Sequence, residues 1–469
     1  MRAVVLCLIV LCASGAANEQ RWTATAAKLD SYTAAMFRLG RFNGVVLVAS
    51  KGHVYRRAYG YSDFGARVSN TTSTQFEIAS ISKMFTAAAI LKLRDKGALQ
   101  LNDSLCRYLT PCPQTWRPIT IQEVLDHRSG IPDYEDALDL ESATYYDFMT
   151  KPDSSKRILE RQAALPLDFV PGTRFSYSNT GYVVLGFIVE SAAHQSYAAF
   201  LHRAVLDPAG LRSTGVIGVD PATRLAKGYS MDVAWAQRVR GFDIAAVAPK
   251  EVPKLALTPP SGDAGLFSTV DDLLRWTEIM LGSKPELFNS QERAEIFSAT
   301  DGYGDGWFVE NQFGLLRYSH TGELPGFLSD VDVYPTAGTT TIMMDNVEMP
   351  TRSFTRDVQA IALGQPYDNP YSGELVQLAQ SAQNALFGTY AMTNGDSLCV
   401  TESSDHMLLA KVKGKFAAGL LPFSATRFYM PLSSGIVTFE QPPNQPQQIN
   451  LRYDGVDHPG ARGSSEPCQ

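Results

Sequence analysis

The sequence predicts an α+β protein in which an antiparallel sheet is flanked by helices, followed by a small all-β barrel. Three observations carry that expectation. Two apolar runs near the start, Asn43 to Ser50 and His53 to Tyr61, flank Lys51-Gly52 and read as a hairpin. Strand-like runs return far downstream, at Phe313 to Ser319, Ser329 to Tyr334 and Thr339 to Asp345, with helical patterns in between, so one sheet joins both ends of the domain. Beyond Phe387 the texture changes to short strands at regular spacing: Gly388-Thr389-Tyr390, Ser397 to Thr401, Met407 to Val412, Arg427 to Met430, Ile436 to Glu440 and Gln448 to Tyr453.

The elements follow in chain order. Met1-Arg2, the apolar run Ala3 to Leu11 and the small residues up to Ala17 have the form of a secretory signal peptide cleaved near Ala17. The bulky Leu11 before Cys12 argues against a lipoprotein signal, and the apolar run is too short to span a bilayer. A secreted or periplasmic protein without a stable membrane span is expected. From Trp22 to Leu39 apolar residues recur at helical spacing, and Gly40 ends the helix. A second helix is expected to begin at Ser80 and run to Lys96, stopped by Gly97. A third is expected over Gly181 to Ala193, and a fourth over Asp271 to Leu281, where Thr269-x-x-Asp272 resembles a capping box. The domain boundaries predicted are a signal peptide at 1–17, a main domain at 18–364, a linker at 365–386 and the barrel at 387–469.

Composition narrows the function classes. With 469 residues, 45% hydrophobic and 19% charged, the chain is globular and too long for one core. A net charge of -7 argues against a nucleic-acid partner, which would need a basic patch. Removal of the signal takes Cys7 and Cys12, leaving Cys106, Cys112, Cys399 and Cys468 in an oxidising compartment, where an even count suggests disulfides. Cys106 and Cys112 are expected to form a local bridge, and Cys399 and Cys468 a second one that ties down the tail. The seven histidines include no His-Glu-x-x-His, so neither a metal nor a cofactor is inferred.

The sharpest local feature is Ser80-Ile81-Ser82-Lys83, because no other lysine in the chain has a serine three residues before it. On a helix these positions share a face, so Lys83 can reach the Ser80 hydroxyl and, once deprotonated, act as its base. Taken alone, a capping serine and a solvated lysine explain the four residues better. Two further segments shift the balance. Tyr177-Ser178-Asn179 follows Pro171-Gly172 and precedes a helix, so Tyr177 can relay protons. His320-Thr321-Gly322 closes an apolar strand, where the glycine permits close approach and the threonine can donate a hydrogen bond. His127, in Asp126-His127-Arg128-Ser129, reads as a structural loop residue, Gly302-x-Gly304-x-Gly306 as a turn before Trp307, and no Gly-x-Ser-x-Gly elbow occurs.

Together and in this order the three motifs resemble those of the penicillin-recognising serine enzymes, nearest to the class C beta-lactamase-like group. The segments Phe76 to Thr86, Ile119 to Pro132, Pro171 to Asn179 and Gly265 to Thr269 resemble the same group, and the likeness covers roughly residues 24 to 350. It implies the beta-lactamase/D,D-peptidase fold with its helical subdomain, and the C-terminal barrel resembles a lipocalin-like appendage. It further implies Ser80 as the acylated nucleophile, Lys83 as its activating partner and Tyr177 as general base or proton relay. Asn179, His320, Thr321 and Gly322 would bind substrate, and the backbone amides of Ser80 and Glu323 would form the oxyanion hole. His320 stands where classical members have lysine, which counts against beta-lactamase activity. If His320 holds a substrate carboxylate, recognition should weaken as the imidazole loses its proton near pH ~6.5.

The expected protein is therefore an exported serine hydrolase that forms an acyl-enzyme on Ser80 and cleaves an amide, peptide or ester bond of a small-molecule or short-peptide substrate. The rival reading is a non-catalytic sensor of cell-wall fragments using the same cleft.

Overall fold

A computed structural model describes residues 2–38, 40–136, 147–230, 249–348, 352–367, 376–402, 408–412, 417–430, 435–440, 448–453 and 456–463. They divide into two compact units, one made of Gly44–Tyr229 and Glu251–Glu348, the other of Met1–Asn43, Ser230–Lys250 and Met349–Gln469.

The first unit is built on a six-stranded antiparallel sheet. Its strands are β1 (Gly44–Ser50), β2 (His53–Ala58), β3 (Phe308–Gln312), β4 (Leu315–Leu324), β5 (Phe327–Tyr334) and β6 (Thr339–Asp345), in the spatial order β3-β4-β5-β6-β1-β2. The expected union of the two chain ends is the β1–β6 pairing, in register from Gly44 opposite Asp345 to Ser50 opposite Thr339. The predicted hairpin closes with Lys51 and Gly52 both at positive φ, 50° and 86°, the backbone a two-residue hairpin loop needs. A second such turn corrects the sequence reading. Phe313 and Gly314, at φ 54° and 72°, form the turn between β3 and β4, so the run expected to start a strand at Phe313 starts it at Leu315.

Among its helices, four frame the site: α1 (Ser82–Asp95), α2 (Ile121–Leu125), α3 (Asn179–Ala193) and α4 (Val270–Met280). Helix α4 packs on β6 and β1, and its Trp276 stacks on Phe85 of α1 with ring centroids 4.6 Å apart. Both rings are buried. Removing the Phe85 side chain from water contributes about 2–3 kcal/mol. Only half of the expected capping box forms: Thr269 accepts from the Asp272 amide, but the Asp272 carboxylate turns to Ser213 N and Thr214 Oγ1 instead of returning to Thr269. Complete boxes lie at α2, where Thr120 and Glu123 satisfy each other's backbone amides, and at the helix Ser290–Ile296, where Asn289 and Glu292 do the same. Cys106 and Cys112 are bonded to each other.

Helix α2 also presents Gln122, whose Nε2 donates to Asp126 Oδ1 at 2.9 Å and to Asp305 Oδ1 at 3.2 Å. Burial, with Asp126 nearby, raises the Asp305 carboxyl to about 7, so in the folded protein it keeps a proton that the unfolded chain releases near its ordinary value of 3.8. That contribution to stability is present at low pH and is lost as pH rises through about 7. Asp305→Asn is expected to narrow the fall in Tm between about pH 5 and pH 8 by several degrees. Calorimetry at the two pH values checks it, and an unchanged difference would rule out Asp305 as the titrating group.

In the second unit the helices Arg2–Arg38 and Arg352–Leu363 pack together, with Tyr32 donating to Asp357 Oδ2 at 2.8 Å and stacking on Phe354. Among the described residues no helix is long and apolar enough to cross a membrane. The barrel strands are β7 (Gly388–Met392), β8 (Ser397–Glu402), β9 (Leu408–Val412), β10 (Ala417–Gly419), β11 (Leu421–Pro422), β12 (Arg427–Met430), β13 (Gly435–Phe439), β14 (Gln448–Tyr453) and β15 (Val456–Arg462). All pairings are antiparallel, in the order β10-β9-β8-β7-β15-β14-β13-β12-β11. The two outermost strands are separated only by Leu420, so one bent segment nearly closes the sheet into an eight-stranded barrel. Tyr390, Leu398, Val400, Phe428, Val437 and Phe439 fill its interior. Arg462 packs over the Tyr390 ring and donates to the Phe387 carbonyl. Cys399 lies on β8, but the expected partner Cys468 is outside the described residues, as are residues 368–375 of the run expected to link the domains; the end of that run forms a short helix, Gln380–Leu386.

Candidate active site

Three segments converge between the sheet and the helices. The first carries Ser80. It is tied in place by the Ile78 amide donating to Leu266 O and the Leu266 amide donating to Ser82 Oγ. The helix expected to begin at Ser80 starts two residues later: Ala79–Ile81 form a single 3₁₀ turn, α1 begins at Ser82 without a side-chain cap, and Ser80 caps no helix. Ala79, immediately before Ser80, has φ 49°, a left-handed conformation that costs a non-glycine residue about 1 kcal/mol or more. Packing sustains it, since Ala79 and Ile81 are both fully buried.

Lys83, on the first turn of α1, is also fully buried, which sets aside the solvated-lysine alternative. Its Nζ donates to Ser80 Oγ at 2.9 Å, Asn179 Oδ1 at 2.7 Å and Asp263 O at 3.1 Å, so all three ammonium protons have acceptors. Gly306, at φ 80°, lets the 302–307 turn lie against this helix, because a Cβ there would meet Lys83 O at 2.9 Å.

The second segment is Tyr177-Ser178-Asn179. Ser178, not Asn179, caps α3 by accepting from the Gly181 amide, which frees the Asn179 side chain to face Lys83. The lysine Nζ lies 4.9 Å from the Tyr177 ring centroid. His127 is structural, as expected, and its role is definable. Its Nδ1 accepts from the Ser178 amide at 3.0 Å, and its ring packs 4.2 Å from that of Tyr177, fixing the loop that carries the motif. Complete burial, with Lys83 and His320 close by, keeps the His127 imidazole neutral, well below its ordinary range.

The third segment is β4. His320-Thr321-Gly322 lie inside this strand rather than at its end, since pairing with β5 continues to Leu324 opposite Phe327. On the other side β3 stops at Phe308 opposite Ser319, so from His320 to Leu324 that edge carries no strand among the described residues. Alternation turns His320 and Gly322 inward and exposes Thr321 and Glu323. Gly322 is required by contact: a Cβ would lie 2.2 Å from Ile78 O and 2.3 Å from Ser329 Oγ, the atoms that join β4 and β5 to the turn bearing Ser80.

His320 corrects the sequence reading. It is 1% exposed, and both ring nitrogens are engaged inside the protein. Nδ1 lies 2.6 Å from Thr321 O and carries the proton, while Nε2 accepts from Tyr303 OH at 3.1 Å. Burial, reinforced by the Lys83 charge, lowers the imidazole to about 3. A neutral, internally bonded ring does not hold a substrate carboxylate.

Several members of the site carry no sequence signal. Tyr303 sits between two of the turn glycines and reaches His320. Asp263 supplies a carbonyl to Lys83 and is itself held by Tyr134 OH and Ser261 Oγ. Glu135 Oε2 accepts from Asn179 Nδ2 at 3.0 Å, and burial together with the neighbouring Asp133 raises its carboxyl to about 7.

A buried lysine donating to a serine held in a strained turn, with a tyrosine, an amide and an open strand edge around them, defines a serine hydrolase of the acyl-enzyme type. Residues 29–365 match the Beta-lactamase family, and the chain belongs to it. It is 28% identical to Penicillin-binding protein 4* of Bacillus subtilis (strain 168) over 452 residues, covering 90% of this chain and 95% of that protein. The penicillin-binding protein from Bacillus halodurans superposes with a TM-score of 0.57 at 25% identity, over 70% of this chain and 97% of that one. The octameric penicillin-binding protein homologue from Pyrococcus abyssi gives 0.64 at 22% identity, over 92% and 99%.

Proposed function

We propose that the protein is an exported serine hydrolase that cleaves an amide, peptide or ester bond of a small-molecule or short-peptide substrate through an acyl-enzyme on Ser80. The observation that carries this reading is the Lys83 Nζ to Ser80 Oγ contact of 2.9 Å in a fully buried setting. Neutral Lys83 takes the Ser80 proton as Oγ bonds to the substrate carbonyl carbon. Tyr177 gives a proton to the departing amine or alcohol and recovers one from the Lys83 ammonium, so both return to their starting states, and water then releases the acid from Ser80. Asn179, Thr321 and the backbone at Gly322 border the substrate, and the amides of Ser80 and Glu323 serve the oxyanion. The same proposal includes the signal at 1–17, the division into 18–364, 365–386 and 387–469, and the Cys399–Cys468 bridge.

Intact Ser80, Lys83 and Tyr177 weigh against a non-catalytic sensor. Mass spectrometry after treatment with a fluorophosphonate tests the point: an adduct on Ser80 is expected, and a folded protein that never acquires one would support the sensor.

The neutral state of His320 replaces the expectation of pH-dependent carboxylate recognition. The ratio of kcat/KM for a carboxylate-bearing substrate to that for its methyl ester is expected to be flat between about pH 5.5 and 8, because the imidazole stays neutral across that range. A ratio that falls as pH rises would show a protonatable group holding the carboxylate.

A further inference from the structure

Asn179 stands between a cation and a carboxylate. Its Oδ1 accepts from Lys83 Nζ at 2.7 Å, and its Nδ2 donates to Glu135 Oε2 at 3.0 Å. The two ends of a carboxamide are alike in shape and opposite in polarity, so its neighbours decide which end points where. We propose that Glu135 is a positioning residue that locks the Asn179 oxygen toward Lys83 and thereby aims the lysine lone pair at Ser80. This rests on the acyl-enzyme reading above.

While Lys83 is an ammonium it needs no help, because a group that only donates already draws the amide oxygen. The demand arises in the reactive state. A neutral amine has two N–H bonds and one lone pair, and Nζ has three neighbours, Ser80 Oγ, Asn179 Oδ1 and Asp263 O. The two carbonyl oxygens can only accept. They take the two N–H bonds, and the lone pair is left facing Ser80 Oγ. A reversed Asn179 would present N–H to the amine, occupy the lone pair and leave no base for the serine proton. An ionised Glu135 has no proton to give, so reversal would set the Asn179 oxygen against a carboxylate. Glu135 is itself anchored to the same loop, since its amide donates to Asp133 Oδ1 at 2.9 Å and Asp133 Oδ2 accepts from the Asn179 amide at 2.7 Å.

The test is the second-order rate at which a fluorophosphonate labels Ser80, read at the pH plateau of each variant, above about pH 8 where the position-135 carboxylate is ionised. Glu135→Gln keeps the size but can present either amide end. Its labelling rate is expected to fall about tenfold or more. The double variant Glu135→Gln/Asn179→Asp restores the polarity, because the new carboxylate at 179 can only accept from Lys83 while the new amide at 135 donates to it. Its rate is expected to exceed that of Glu135→Gln by at least about threefold. A single variant as fast as wild type overturns the proposal and leaves Glu135, at most, as a substrate contact. A double variant no faster than the single one overturns it too, whether or not the single variant melts at a lower temperature. Wild-type protein that is never labelled at Ser80 fails the acyl-enzyme reading instead, so the two failures are distinguishable.

Discussion

Ser80→Ala is expected to abolish turnover, lowering kcat by about 10⁴-fold or more while the protein stays folded. The fold tolerates the change because Ser80 caps no helix and the turn it occupies is set by buried Ala79 and Ile81. What the substitution removes is one of three acceptors around the buried Lys83 ammonium. That loss costs about 1–3 kcal/mol, a modest part of what a chain of this size can lose. Circular dichroism and a steady-state assay on the purified variant check both halves. Hydrolysis retained by folded Ser80→Ala protein would refute the nucleophile assignment.

The second large effect is expected at Gly322. A methyl group there would lie 2.2 Å from Ile78 O, a backbone atom, and 2.3 Å from Ser329 Oγ, which donates a hydrogen bond to that same carbonyl. In Gly322→Ala, β4 must therefore move away from the turn that carries Ser80. Glu323 N–H, the second proposed oxyanion donor, moves with it. Loss of one such donor lowers kcat by roughly 10²–10³-fold, so kcat is expected to fall by that order with a smaller change in KM. Overpacking also costs about 1–3 kcal/mol of stability. Activity within threefold of wild type would show that the close approach at Gly322 does not set the reactive geometry.

How much of the fold and the site is legible in the sequence depends on the distance over which each signal acts. Ser80 and Lys83 are three residues apart, and Tyr177 and Asn179 two, so their spacing survives as a motif. Glu135, Asp263 and Tyr303 reach the same atoms from separate loops, and no local pattern marks them. The charge of His320 escapes the sequence for a related reason. A residue type gives an ordinary pKa, whereas burial and the proximity of Lys83 supply the shift. Among the strands, β6 and the β1–β2 hairpin announce themselves by apolar runs and a Lys-Gly turn. β3, with the polar run Glu310-Asn311-Gln312, does not. Nor does β15, whose Pro459-Gly460 reads as a turn although Pro459 stands opposite Asn450 in the ladder.

The place of β15 has a bearing on how the protein is made. This strand, the last of the barrel in chain order among the described residues, lies between β14 and β7, with Tyr390 opposite Arg462. A ribosome delivers β7 long before its neighbour exists. Until Val456–Arg462 emerges, the nascent barrel has two unpaired borders where the finished one has a seam, and unpaired strand borders are where growing chains aggregate. Closure is thus a late step that joins residues distant in the chain, of the kind that folds slowly. Any premature stop ahead of Val456 would leave the barrel permanently unzipped.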